Sequence, residues 1–167
     1  MESGSPSTGI FEPLLRRGVP FVVIGGVAVG FYGRLRATED TDIIFLRDES
    51  SEENLFLALM DLDAAFISDE IDPSTNLERL IPVSKAYVRN SRLMMLCTRL
   101  GYLDIFDYVP GIEEQDVRDL INSAVKSAAG VPHVSLEWLL KIKKSAGRAK
   151  DLEDAEILTR TKLRPES

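Results

Sequence analysis

The sequence predicts an α/β (α+β) fold: a small mixed sheet flanked by helices, with a helical carboxy-terminal part. Three observations carry that prediction. The apolar run Phe21-Val22-Val23-Ile24 has the length of a buried strand and is followed at once by two glycines. A second strand-like run, residues 41–46, comes after a short helix-like segment and an arginine-containing loop. Further on, Leu55, Leu59 and Leu62 recur at helical spacing, as do Leu136, Leu139 and Leu140, so helices are interleaved with strands and gather towards the end.

Taken in order, residues 1–9 form a leader without the basic and apolar regions of a secretion signal, which predicts a flexible start and a cytoplasmic protein. Residues 10–17 suit a short helix in which Pro13 is tolerable only in the first turn, and Gly18 is placed to stop it. After the first strand, Gly25 and Gly26 let the backbone approach a ligand closely. The residues behind them can start a helix whose free amides face that ligand, and Gly33 would end it. Residues 51–62 predict a helix beginning at Ser51. Residues 68–84 show no clear pattern beyond a turn at Asp72-Pro73-Ser74, whereas 85–98 and 101–108 read as strands. Pro110 and Gly111 close a core placed at 10–111. Residues 113–126, 135–147 and 151–159 read as helices of a subdomain at 112–163, and 164–167 as a tail.

Composition narrows the function. Of 167 residues, 44% are hydrophobic and 28% charged, as in a globular domain, and no apolar run approaches a membrane span. Cys97 and His133 are each the sole residue of their type, which excludes a disulfide framework, a cysteine zinc cluster and a histidine-based metal site. The net charge of -7 argues against nonspecific binding to a polyanion. Its distribution is uneven: 48–72 holds nine acidic and no basic residues, whereas 141–150 holds five basic and no acidic ones. A local basic surface therefore remains available to a phosphate.

The chemistry-bearing stretch is residues 25–45. Asp40 and Asp42 stand two apart at a strand start, so both carboxylates point to one face. Like charges so placed suit a divalent cation such as Mg2+ carrying a phosphorylated ligand. The order is strand, Gly-Gly, thirteen residues, Asp-x-Asp, strand. Asp104, framed by Leu103, Ile105 and Val109, is the candidate third carboxylate. Asp107 falls on the opposite face and reads as a solvated strand end. Lys143 lies in line with the buried stripe of its helix, where either its stem packs while the ammonium reaches water, or the ammonium reaches a β or γ phosphate. Lys141 and Lys144 read as a solvated face. Asp151 can cap the following helix, or Arg148 and Asp151 can close over a site.

The string GGVAVGFYGRLRATEDTDI resembles the polymerase β type nucleotidyltransferase superfamily, and within it the bacterial branch of AbiEii-type toxins and small nucleotidyltransferases. Gly25, Gly26, Ala28, Gly33, Arg36, Thr38, Asp40 and Asp42 carry the resemblance, and LLKIKKSAGRAKDLEDAEIL extends it more thinly. The resemblance implies that Asp40, Asp42 and Asp104 are catalytic and bind Mg2+, as a two-metal site. Gly25, Gly26, Arg36, Thr38, Lys143 and Arg148 would bind a nucleoside triphosphate. The acceptor would be RNA, in particular a tRNA end, in a toxin-antitoxin setting with a cognate antitoxin or toxin protein. A small-molecule acceptor such as an antibiotic, or a noncatalytic partner protein using the same fold, are the alternatives. Two departures stand out: Gly26 occupies a position where many relatives have serine, and Thr41 separates the aspartates where an apolar residue is usual.

Overall fold

The computed structural model describes residues 6–34 and 40–163. In chain order these form α1 (Pro6–Arg16), β1 (Phe21–Ile24), α2 (Gly25–Phe31), β2 (Asp40–Phe45), α3 (Glu49–Asp61), β3 (Ala65–Asp72), β4 (Leu77–Pro82) and α4 (Lys85–Asn90). There follow β5 (Leu93–Thr98), β6 (Gly101–Phe106), α5 (Val117–Asn122), β7 (Val125–Lys126), β8 (Pro132–His133), α6 (Leu136–Ala146) and α7 (Ala149–Leu163). One mixed sheet holds the described strands in the order β4-β3-β5-β6-β2-β1-β8-β7. The pairs β2–β6 and β1–β8 are parallel and the others antiparallel. Among the described residues no helix is long and apolar enough to cross a membrane.

The centre of the sheet is where burial is deepest. All four residues of β1 are buried, and β2 goes from an exposed Asp40 to a fully buried Phe45. Continuous apolar strands of this kind need cover on both faces, and the helices supply it. In α3, Leu55, Leu59 and the following Leu62 are fully buried. Burying each contributes about 2 kcal/mol relative to leaving it exposed. The face of β5 and β6 that carries Asp104 stays partly open: Met95, paired in register with Asp104, is 62% exposed.

Several boundaries differ from the sequence expectation, each for a local reason. Residues 85–98 are a helix followed by a strand, because the Ser84 hydroxyl accepts from the Tyr87 amide at 3.1 Å and starts α4. The segment 68–84 is the β3–β4 hairpin. Its turn is held where expected, with the Asp72 carboxylate accepting from the Ser74 amide at 2.9 Å. Its strands are mostly exposed and bulged, which removes the alternation that would have announced them. The expected helix at 113–126 shortens to α5, capped by Asp116, and the chain then extends into β7.

Helix α3 begins at Glu49, two residues before the expected start at Ser51, with Asp48 as its cap. The Asp48 carboxylate accepts from the Ser51 amide and the Ser51 hydroxyl accepts from the Asp48 amide, both at 2.7 Å, a reciprocal box that uses both residues. Helix α1 runs through Pro13 rather than starting near it, with Ile10, Phe11 and Leu14 buried beneath. Packing of that face offsets the one backbone bond a proline removes. Helix α6 keeps its expected ends, Ser135 as the amino-terminal cap and Gly147 in the left-handed conformation. Helix α7 continues to Leu163, past the expected 151–159.

Candidate active site

The β2–β6 register sets Asp42 directly beside Asp104 on neighbouring parallel strands, and the β1–β2 register sets Ile24 beside Asp42. Burial pushes the Asp42 carboxyl up to about 7, aided by the charge of Asp104, a hydrogen bond to it and the charge of Asp40, against the opposing pull of Lys143. Asp104 is also raised, by burial and by the Asp40 charge, while its hydrogen bond to Asp42 acts the other way. Both carboxyls are therefore harder to ionise than an exposed aspartate.

The fit of a divalent cation can be judged on that pair. Two partly buried carboxylates side by side in register at the cleft offer a position that a cation would take, relieving their mutual repulsion, and hard oxygen ligands are the set Mg2+ prefers. As they stand, the described residues hold no cluster of three acidic, histidine or cysteine side chains already arranged around one point. The donors fit, and the arrangement has to open to accept the ion.

Gly25 gives the pair its room. It opens α2 at φ +69°, and a Cβ built on it would collide with the Asp42 carboxylate. Only glycine combines that conformation with so close an approach. Gly25 and Gly26 border a cleft of about 400 Å3 whose walls also include Asp40, Asp42, Asp104, Lys143, Arg148, Lys150 and Asp151. A wider depression of about 690 Å3 lies at the start of α3, walled by Asp48, Glu49, Glu52, Glu53, Lys85 and Arg89. It is an open, mostly acidic surface and brings together none of the residues singled out above.

Lys143 takes neither of the two positions expected for its side chain. It is 5% exposed, so the ammonium does not reach out to water. It pairs instead with Asp151 at 3.1 Å and Asp154 at 3.2 Å, both carboxylates being almost fully buried. Arg148 approaches Asp151 at 2.6 Å, and Arg34 approaches Asp154 at 2.6 Å. Although burial acts to raise Asp151, its hydrogen bonds from Arg148 and Lys143 hold it below the usual carboxylate range. Asp151 therefore lies within α7 as an ion-pair partner, and does not cap it.

The cleft thus brings together Gly25, Gly26, Asp40, Asp42, Asp104, Lys143 and Arg148. Arg36 and Thr38 lie outside the described residues. Asp107 is no solvated strand end: it is largely buried, with Arg47 at 2.7 Å and Arg92 at 3.2 Å. Sequence reasoning missed Arg34 and did not resolve Asp154. The only signal for either was a surplus of charge in segments otherwise read as a loop and a helix. Phe106, which its apolar strand marks as a core residue, borders the cleft, as do Ile142 and Ala146, for which the sequence offered no site signal.

No model of a known protein family matches the chain, and no curated protein matches it in sequence. Solved structures do. The lincosamide antibiotic adenylyltransferase LnuA, bound to lincomycin, aligns with a TM-score of 0.59 at 19% identity, over 92% of this chain and 94% of that one. The antibiotic-resistance factor ANT(2'')-Ia aligns in solution with a TM-score of 0.58 at 17% identity, over 95% of this chain and 83% of its own. Its complex with adenylyl-2''-tobramycin aligns with a TM-score of 0.57 at 16% identity, over 95% and 87%. At these identities the likeness is one of architecture, and the chain has the fold of the antibiotic nucleotidyltransferases.

Proposed function

We propose that the protein is a nucleotidyltransferase that moves a nucleoside monophosphate from a nucleoside triphosphate to an acceptor hydroxyl. The observation that carries this reading is the Asp42–Asp104 pair, set side by side in register against a glycine that leaves no room for a side chain, with Lys143 in the same cleft. Asp40, Asp42 and Asp104 are the residues that would hold Mg2+. When bound there, the ion supplies the positive charge that phosphoryl oxygens need as negative charge builds on them. Gly25 and Gly26 let the triphosphate lie against the backbone, and Lys143 and Arg148 face its outer phosphates.

Asp104, beside Asp42 in register and bordering the same cleft, is placed to take the acceptor's proton. The acceptor oxygen then bonds to the α phosphorus, the bond from that phosphorus to the bridging oxygen breaks, and pyrophosphate leaves. Orientation of the two substrates in one cleft supplies much of the rate.

For the acceptor, the open sheet face beside Asp104 favours a small molecule with an apolar body, such as an antibiotic. Met95, Tyr102, Ile67 and Leu80 are exposed on these strands, and Met95 stands beside Asp104 in register. None of them offers a cation to a phosphate backbone. An RNA acceptor, with a toxin-antitoxin role, is the second reading. It draws on the exposed Lys141, Lys144 and Lys150 at the other side of the cleft.

Incubation with each α-labelled nucleoside triphosphate and Mg2+, offered in turn lincomycin, tobramycin, total tRNA and bulk protein, tests these readings. Label on a small acceptor, lost in Asp42→Ala, is the expected result. Label on tRNA would favour the RNA reading. Absence of nucleotide binding, together with stable co-purification with another protein, would replace both with a noncatalytic partner role.

A further inference from the structure

The cations of the cleft are not equally free to meet a ligand. Lys143, Arg148 and Lys150 all border it. Lys143 is buried at 5% exposure, with its ammonium between Asp151 at 3.1 Å and Asp154 at 3.2 Å. Arg148 is exposed, and its guanidinium donates to both oxygens of Asp151, at 2.6 and 3.5 Å. Lys150 is exposed as well, yet it makes no hydrogen bond or ion pair among the described residues. Water screens Arg148 and Lys150 alike, so charge alone does not separate them. Donor capacity does: an ammonium carries three rotatable donors, and those of Lys150 are uncommitted.

Local geometry holds Lys150 at the cleft. Asp151, the next residue of α7, is turned inward to 1% exposure and accepts from Lys143 and Arg148. Neighbouring helical residues are rotated by about 100°, so an inward Asp151 turns Lys150 away from the core. Lys141 and Lys144 on α6 are exposed too, but neither borders the cleft. We infer that Lys150 binds the outer phosphates of the nucleoside triphosphate, as a flexible point charge that engages when the nucleotide arrives, and that Asp151 is the positioning residue that presents it. This rests on the nucleotide reading of the cleft and adds a binding residue to it. An RNA backbone offers the same phosphate chemistry, but it would draw on Lys141, Lys144 and Lys150 as a group. That Lys150 alone of the three borders the cleft favours the nucleotide.

Lys150→Met keeps an apolar stem and removes the charge. Its binding of the preferred Mg2+-nucleoside triphosphate should weaken about tenfold at low salt, with the corresponding monophosphate within about twofold of wild type. The loss should shrink as salt is raised, as an exposed contact requires. Lys150→Arg should retain triphosphate binding within about threefold, and Lys144→Met, which alters an exposed lysine outside the cleft wall, should match wild type. With no ion pair to lose, Lys150→Met should melt with wild type, so equilibrium binding reads the contact directly. A Lys150→Met affinity within about twofold of wild type would overturn the inference, as would equal losses for mono- and triphosphate, or equal losses in Lys144→Met and Lys150→Met. Binding of total tRNA to the same variants separates the two phosphate sources: weakening in both lysine variants, with triphosphate binding unchanged, would overturn the inference and assign Lys150 to an RNA backbone. If wild type binds no nucleoside triphosphate at all, the nucleotide reading itself falls and the inference falls with it. That outcome is distinct from the others, which all begin with a wild type that binds.

Discussion

At the scale of single residues, the site depends on Asp42 being forced close to like charge. Its carboxyl is raised from 3.8 to about 7, so between those values the folded protein holds a proton that the unfolded chain has released. The stability from that proton is complete at low pH and is lost as pH rises through about 7. Melting curves at pH 5 and pH 8 without divalent cation should therefore show wild type falling relative to Asp42→Asn, whose amide does not titrate. The gain for Asp42→Asn at pH 8 should be on the order of 1 kcal/mol, allowing for partial solvent screening. Equal pH dependence in the two proteins would contradict the assigned shift. Gly25→Ala should be harmful on two counts, since the left-handed conformation costs about 1 to 2 kcal/mol and the new methyl displaces Asp42. Gly33→Ala shares a positive φ but meets nothing within 4 Å, so it is the control. Label transfer should fall at least about tenfold in Gly25→Ala beyond any change in Gly33→Ala.

At the scale of elements, one arginine fastens the ends of the strands that carry the carboxylates. Arg47, just past β2, donates to Asp107 just past β6 at 2.7 Å, to Glu52 of α3 at 2.9 Å, and to the Val88 and Ser91 carbonyls at 2.7 and 2.6 Å. Arg47→Ala leaves two carboxylates and two carbonyls short of a donor and should cost about 3 kcal/mol in denaturant unfolding. A loss below about 1 kcal/mol would show the network to be incidental. These contacts also show what was legible in the sequence. Strand β1, the glycine turn, the Asp40–Asp42 pair and helix α6 with both caps are written in neighbouring residues, so period and capping chemistry reveal them. Asp104 was singled out because it sits inside an apolar strand, a local pattern that does not tell which strand lies beside it. Asp107 was misjudged because its partner Arg47 is distant in sequence, and α4 because Ser84 outweighs the strand-like composition behind it. The Arg34–Asp154 link had no local signature at all.

At the scale of the whole molecule, an acidic chain sets Lys143, Arg148 and Lys150 along the same cleft as Asp40, Asp42 and Asp104. A net charge of -7 would weaken the approach of a free triphosphate, whose phosphates carry the same sign. On the proposed reading Mg2+ would resolve that conflict on both sides, neutralising phosphate charge and relieving the repulsion between Asp42 and Asp104. The fold shared with LnuA and ANT(2'')-Ia supplies the frame, while the open apolar face beside Asp104 is where acceptor choice is expected to reside. The most direct measurement is calorimetric titration of each nucleoside triphosphate into wild type and Asp42→Asn, with and without Mg2+. The account predicts that wild type binds at least one triphosphate only with Mg2+, and that Asp42→Asn weakens this binding by about a hundredfold. Binding that is indifferent both to Mg2+ and to Asp42 would contradict it.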